Sequence, residues 1–399
     1  MVVCPSTSET DISADFASVA TGDTIVFEAG TYQFNMQLAL GMADDVTVVG
    51  AGMGQTILDF HAQAQADDAI FAQGPMNNLT IESLTVKESP GNAFKTLDVT
   101  GMTFKSLEVS WAALNHTDGA YGVYPVQDKD VLVENCKISG ASDSGIYIGQ
   151  SQDIVVRNNE AFQNVAGIEI ENSFFADVYG NYSHDNTGGI LVFDLPNLQQ
   201  EGGHAIRVFN NKIENNNTEN FALTSDIVSL VPAGTGTFVM ANKDVEVFGN
   251  TITGNKTAGA GIISYAVSQQ MFTDPHYYEW PSQVYLHDNT YGNNGTAPDL
   301  HNQVGLLLIT GTSAYPNGHV PDVMYDGIVD PNAMMSTAYP NVMDICVKET
   351  SASAVCNGHF DKLSMSNPDL SKTINCDASQ FDCTIPSIPA VTWIGLPAQ

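Results

Sequence analysis

The sequence predicts an all-β chain folded as a right-handed parallel β-helix, with an N-terminal cap and a loop-rich C-terminal tail. Three observations predict it. A short unit repeats, one residue type returns at an aligned position, and a glycine opens a second strand in each unit. The repeat reads NLTIESLTV from Asn78, GMTFKSLEV from Gly101, DVLVENCKI from Asp130 and DIVVRNNEA from Asp153. It continues as FADVYGNYS from Phe175, AIRVFNNKI from Ala205, DVEVFGNTI from Asp244 and QVYLHDNTY from Gln283. Successive starts lie 23, 29, 23, 22, 30, 39 and 39 residues apart. A unit of about 22 residues, lengthened at one loop, is one coil of a solenoid whose stacked coils bury a continuous core.

The returning residue is asparagine. Asn159, Asn181, Asn211, Asn250 and Asn289 share one position, where stacked amides bond along the axis. The second strand aligns as GVYPVQ at Gly122, GIYIGQ at Gly145, GIEIEN at Gly167, GILVFD at Gly189 and GIISYA at Gly261. Its glycine suits a tight corner. Long amphipathic helices, which a barrel of alternating strands and helices needs, are not evident, and neither are hairpin turns. The chain therefore divides into a cap (1–44, a short helix and first strands), a β-helix (45–311) and an irregular tail (312–399) packed along or across the open end.

Charge narrows the partners. Lys plus Arg total 13 against 45 Asp plus Glu, a formal charge of −32. Nucleic acid and anionic membrane need clustered cations and are set aside. No apolar run is long enough to span a membrane. Cys346, Cys356, Cys376 and Cys383 predict two local disulfides of open connectivity in the tail, against a four-cysteine metal site whose usual C-x2-C pairs are missing. Cys136 reads as a core thiol, and Cys4 as a lipobox-type or free terminal thiol. Export is expected, to the periplasm, the medium or the outer surface, with the signal peptide absent from these residues.

Alternation places Ile168 and Ile170 inward and Glu169 and Glu171 outward. One outward line is then Tyr124, Tyr147, Glu169, Leu191 and Ile263; the next is Val126, Gly149, Glu171, Phe193 and Tyr265. A third, at the strand ends, is Gln150, Asn172 and Asp194. Aromatic rings beside carboxylates and amides make a sugar groove, or else packing beneath the loops after Asp194 and Ala266. The expected catalytic set is Glu169, Glu171, Asp194 and Tyr147, spaced as paired carboxylates for glycoside hydrolysis. Tyr124, Phe193, His116, Asp118, His184 and His276 are the candidate substrate contacts. Glu169, Glu171 and Asp194 also offer oxygen ligands for Ca²⁺, which an acidic chain would need to recruit a polyuronate. Arg157 follows Glu134 and Arg207 follows Asp177 in neighbouring coils, so both arginines read as structural ion pairs.

Three resemblances enter here. GDTIVFEAGTY followed by VTVVGAGMGQT resembles right-handed β-helices of the pectate-lyase-like superfamily. GAYGVYPVQ, GASDSGIYIGQS, NVAGIEIENS, ADVYGN, NTGGILVFDLP, RVFNNKI and NNTENFA resemble a bacterial family of exported parallel β-helix repeat proteins, over roughly residues 20–310. That family is often encoded beside a c-type cytochrome; the resemblance implies architecture and compartment and leaves the reaction open. Asp274-Pro275-His276 is similar to the signature of alginate C5-epimerases, where the pair moves a proton at the uronate C5. The expectation is thus an exported protein that binds or acts on polysaccharide in a lyase-, epimerase- or hydrolase-like groove, with the lyase or epimerase type favoured. The alternative is a non-catalytic protein docking a redox partner such as a c-type cytochrome.

Overall fold

The computed structural model describes residues 2–4, 8–117, 119–335, 338–364, 366–393 and 395–396, without the side chains of 2–4. Each central coil has three parallel strands. A glycine-headed strand of six residues leads to a repeat strand of six and then a short strand of three. Tyr121–Val126, Ser144–Gly149, Ala166–Glu171, Gly188–Phe193, Thr235–Met240 and Ala258–Ile263 stack as the glycine-headed column. Lys129–Glu134, Gln152–Arg157, Phe174–Tyr179, His204–Phe209, Lys243–Phe248 and Ser282–His287 form the repeat column. The short strands, from Gly30–Gln33 to Thr290–Gly292, make a separate sheet of ten. Inward Ile148, Ile170, Val192, Val239 and Ile262 stack into the core.

The expected asparagine ladder is present and has a twin. Asn159 donates from Nδ2 to Asn181 Oδ1 at 2.9 Å, and the chain of bonds continues through Asn211, Asn250 and Asn289 at 2.8–3.0 Å. It ends on Glu349, which accepts from Asn289 Nδ2 at 2.6 Å. A second ladder, Asn164, Asn186, Asn216, Asn255 and Asn294, runs alongside and ends on Asp322 at 2.8 Å. Each ladder residue also accepts a backbone N–H from the preceding coil. The corner before the first ladder is left-handed: Asn158, Gly180, Asn210, Gly249 and Asp288 have φ of 53–65°. Glycine, Asn and Asp tolerate that region.

Two expectations change. The glycine-headed column contains a coil the sequence reading passed over, Thr235–Met240, whose Phe238 pairs with Leu191 and whose Met240 pairs with Phe193. The next strand is therefore Ala258–Ile263, with Gly261 beside Phe238 and Ile263 beside Met240. Ile263 moves to the Glu171 line, and Tyr265 leaves the strands for a short 3₁₀ turn. Strand pairing also runs past residue 311: Val323–Tyr325 pairs with Ala258–Ile263, Ile345–Lys348 with Ser282–His287, and Val355–Asn357 with Val323–Tyr325. The first strands lie within the N-terminal segment: Thr24–Phe27 pairs with Val46–Val49 and Gly30–Gln33 with Thr56–Asp59. The helix Glu9–Ala17 plugs that end with Ile12 and Phe16.

The tail is stapled as Cys346–Cys383 around Cys356–Cys376. Cys136 is free and buried. Beyond Cys383 the chain runs back along the outer face of the repeat column. The Ile388 N–H donates to Glu246 and the Val391 N–H to Asp177; Val391, Trp393 and Leu396 cover Leu132, Val155 and Tyr179. The arginine pairs lie on this face: Arg157 bonds Glu134 at 2.7 Å and Arg207 bonds Asp177 at 2.6 Å.

Asn181→Ala removes one amide that accepts from Asn159 and donates to Val156 and Asn211. Leaving those buried groups unpaired is expected to cost about 2–4 kcal/mol in urea unfolding, against less than about 0.5 kcal/mol for exposed Asn332→Ala.

Candidate functional site

The outer face of the glycine-headed column carries the candidate site. Tyr121 and Tyr124 stack at 4.2 Å between centroids, and Tyr147 meets them at 4.9 and 5.0 Å. Lys95, the register partner of Tyr124, holds its ammonium 5.1 Å from the Tyr124 ring. Tyr121 and Tyr124 are half-buried and Tyr147 is buried. Below the rings lie three buried carboxyls: Asp143, Glu169 and Glu171.

Their hydrogen bonds define the chemistry. Tyr147 donates to Glu171 Oε1 at 2.5 Å, and Tyr121 donates to Asp143 Oδ2 at 2.9 Å. Ser144 Oγ lies 2.9 Å from Asp143 Oδ1 and 2.5 Å from Glu169 Oε2. A hydroxyl has one proton and satisfies one of these oxygens, so the other contact requires a protonated carboxyl that donates to Oγ. Glu169 Oε1 is buried without a hydrogen-bond partner, a further reason for Glu169 to be the neutral member. Burial, then the neighbouring Asp143 and Glu171 charges, push Glu169 well above the usual carboxylate range. Burial is also the main cause that raises Asp143 and Glu171 to about 7, with the Tyr147 hydroxyl pulling Glu171 partly back. Gly149 makes the Tyr147 contact possible: a Cβ there would sit 2.3 Å from the ring.

The other expected site residues go elsewhere. Asp194 is buried at the start of an insertion, where Oδ1 accepts the Gly203 N–H at 2.7 Å and Oδ2 the Gly202 N–H at 3.2 Å. Asn172 and Gln150 clamp the same loop through Leu195, Gln199 and Gln200. The third outward line thus anchors a loop and offers no groove. Phe193 packs beneath insertions with Phe238 and Met240. His184 is on the short-strand sheet, stacked between Phe162 and Tyr182 and bonded to Asp185 and Glu160. His276 is exposed, and Asp274 bonds the His276 and Asn197 backbone, so Asp-Pro-His clamps two loops together. His116 is exposed in the turn before Tyr121; Asp118 lies outside the described residues.

Glu169, Glu171 and Asp194 face Ser144, Tyr147 and the glycine N–H groups respectively. Among the described residues no three His, Cys, Asp or Glu side chains gather in a way that would hold a metal ion. The set does not fit Ca²⁺.

Sequence reasoning missed Asp143, Ser144 and Tyr277, whose hydroxyl donates to the Asp194 carbonyl at 2.5 Å. Asp143 and Ser144 stand in ASDSGIYIG just before the corner glycine. Register places Ser144 beside Tyr121 and Ala166, and alternation carried back from inward Ile146 puts Ser144 on the core side, so no pattern signalled its contacts with Asp143 and Glu169.

The chain is a right-handed parallel β-helix; residues 48–199 match the family model described as the right handed beta helix region. Among solved structures it is similar to the A-module of mannuronan C-5 epimerase AlgE4 from Azotobacter vinelandii. The two are 15% identical over 86% of this chain and 89% of that one, with a TM-score of 0.49. The exopolygalacturonase of Thermotoga maritima is 11% identical over 71% and 81%, TM-score 0.46. The periplasmic alginate epimerase AlgG double mutant is 14% identical over 83% and 70%, TM-score 0.44. At these identities the likeness concerns fold. No curated protein sequence matches the chain.

Two outcomes test the electrostatics. Tyr147→Phe, and Gly149→Ala by displacing the ring, should each raise the Glu171 pKa above about 7, read by carbon-13 NMR titration of glutamate carboxyls. Asp128, Asp143, Glu171, Asp194, Asp326 and Glu349 all stand near 7, raised by burial. Their unfolded values are about 4. The native state therefore holds more protons between those limits, and stability falls as pH rises from about 4 through about 7. Thermal unfolding should occur at higher temperature at pH 5 than at pH 8.

Proposed function

We propose that this face binds a saccharide chain and performs acid–base chemistry at a glycosidic linkage. The observation that carries the reading is one arrangement: a buried carboxyl, Glu171, hydrogen-bonded by Tyr147 and poised near pH 7 beneath a half-open cluster of tyrosines. Tyrosine rings present apolar faces to sugar C–H groups and hydroxyls to their oxygens. A proton donor or acceptor is most effective with a pKa near the working pH. Glu171 exchanges the proton with the sugar. Tyr147 orients Glu171, and the Asp143–Ser144–Glu169 set holds a further proton behind it. Hydrolysis is favoured over uronate elimination, because elimination needs cations on the sugar carboxylate. Both arginines are committed to Glu134 and Asp177, and Lys95 stands only at the rim. Two disulfides and the acidic composition support an oxidising, extracytoplasmic setting.

The test is a panel of neutral and acidic polysaccharides, followed by reducing ends and by the absorbance of unsaturated uronates. Reducing ends without unsaturation are expected, lost by roughly 10²-fold or more in Glu171→Gln and falling as pH rises above about 7, where Glu171 loses the proton it gives to the leaving oxygen. Tyr124→Ala should weaken binding with little change in turnover. Product from no polysaccharide, and sugar binding untouched by both variants, would overturn the reading. Docking of a cationic redox protein such as a c-type cytochrome is separated by salt: it collapses above roughly 0.3 M, whereas stacking of a neutral sugar does not.

A further inference from the structure

A cavity of about 300 Å³ lies away from the tyrosine face, where residues 385–389 of the returning tail cross the repeat column. That volume stands at the lower end of the roughly 300–1,000 Å³ typical of small-ligand sites. Four neighbouring strands build its floor: Phe174–Tyr179, His204–Phe209, Lys243–Phe248 and Ser282–His287 supply Phe175, His204, Asp244, Gln283 and Tyr285. The tail that forms the wall is fixed along its length. Cys383 ties one end to Cys346, the Ile388 N–H bonds Glu246, and the Val391 N–H bonds Asp177.

The polar groups on the floor lack partners. Tyr285 is 8% exposed, with its ring stacked on His287 at 4.2 Å. Its hydroxyl makes no hydrogen bond among the described residues, and burying a hydroxyl unpaired is unfavourable. The side-chain amide of Gln283 is equally free among the described residues, and the Asp244 carboxylate has only the exposed Lys243 ammonium, 4.0 Å away. His204 Nδ1 bonds the Gly202 carbonyl at 2.8 Å, which leaves Nε2 of the neutral ring as an acceptor. Beside these groups the Phe175 ring, edge-on to His204, is 46% exposed. No Lys or Arg side chain lines the cavity.

We infer that this cavity is a second carbohydrate site, which holds a neutral saccharide and performs no chemistry on it. Tyr285 and Gln283 both donate and accept, while Asp244 and His204 accept; sugar hydroxyls, which also do both, match that set. The Phe175 ring presents an apolar face to the C–H side of a sugar. Asp244 and Glu246, with no lining cation, repel a uronate or a sulfated sugar. An alkylammonium would satisfy the acceptors and leave the Gln283 N–H groups unpaired. The site stands on its own residues and not on Glu171.

The experiment is calorimetry on the full chain with cellohexaose, laminarihexaose, xylohexaose, mannohexaose and maltohexaose, with hexagalacturonate and cadaverine as the anionic and cationic comparisons. It is run on the native sequence and in Tyr124→Ala, which weakens the tyrosine face. At least one neutral hexaose should bind in both. Phe175→Ala, at an exposed position, and Tyr285→Phe, which keeps the ring on His287, should each weaken that binding by roughly threefold to tenfold. Binding of no neutral hexaose, or binding indifferent to both variants, overturns the inference. Hexagalacturonate or cadaverine binding more tightly than every neutral hexaose, and weakened by Phe175→Ala, overturns it as well. Binding lost in Tyr124→Ala and kept in Phe175→Ala removes this site and leaves the tyrosine-face reading standing. Binding that depends on Phe175, with no polysaccharide cleaved, keeps this site and removes the hydrolytic reading.

Discussion

The structure depends on the side-chain amide that must be satisfied from above and below. Each ladder asparagine accepts from one coil, donates to the next and donates again to a backbone carbonyl. A buried amide satisfied this way tolerates only identical turns stacked in register at strand spacing. With two ladders five residues apart, the arc from Asn159 to Asn164 and its successors cannot change length. Insertions are displaced to the ends of the glycine-headed strands, among them residues 194–203, 217–234, 264–281 and 295–322. The candidate site lies there for the same reason: it is the face the ladders leave free to vary.

That freedom produces two environments on one wall. Around Tyr147 and Glu169 the cover is thin and polar, so carboxyls are dehydrated without being given cations. Two coils further on, the insertions are apolar and lay Tyr265 and Tyr277 across Phe238 and Met240. The change falls between Glu171 and Phe193, adjacent residues on neighbouring strands. Small residues set both halves: Gly149 yields space to Tyr147, and Gly261 to Phe238.

Much of this was legible in the sequence. The coil period, one ladder, the inward isoleucines and the Glu134–Arg157 and Asp177–Arg207 pairs follow from alignment, because each depends on local register alone. The second ladder was equally readable, as Asn recurs five residues after each first-ladder Asn. The coil Thr235–Met240 was hidden because Thr237 occupies an inward position held by isoleucine in its neighbours, its hydroxyl satisfied by the Ile190 carbonyl. Ala260 does the same one coil on, and so GIISYA was aligned two residues out of place. The roles of Asp194, His184 and His276 were not legible. Each depends on where an insertion or a neighbouring column brings its partner, and no period encodes that. Asp143 and Ser144 precede the corner glycine, where the strand Ser144–Gly149 begins and strict alternation would turn Ser144 inward with Ile146.

The C-terminal strap has a consequence for how the chain is assembled. Coil-to-coil contacts join residues 22–39 apart, so coils can add one at a time as the polypeptide lengthens, in the manner of a zipper. The Val391–Asp177 bond spans 214 residues and forms only after the coils between them exist. Long closures carry an entropic cost that nearest-neighbour stacking avoids. The strap is therefore the last segment to dock and the first to lift. It ties the mid-solenoid coils to the disulfide-bonded end, so fraying that starts at that end must release a contact far from it. A fold built from nearest-neighbour contacts thereby gains a long-range term in its cooperativity.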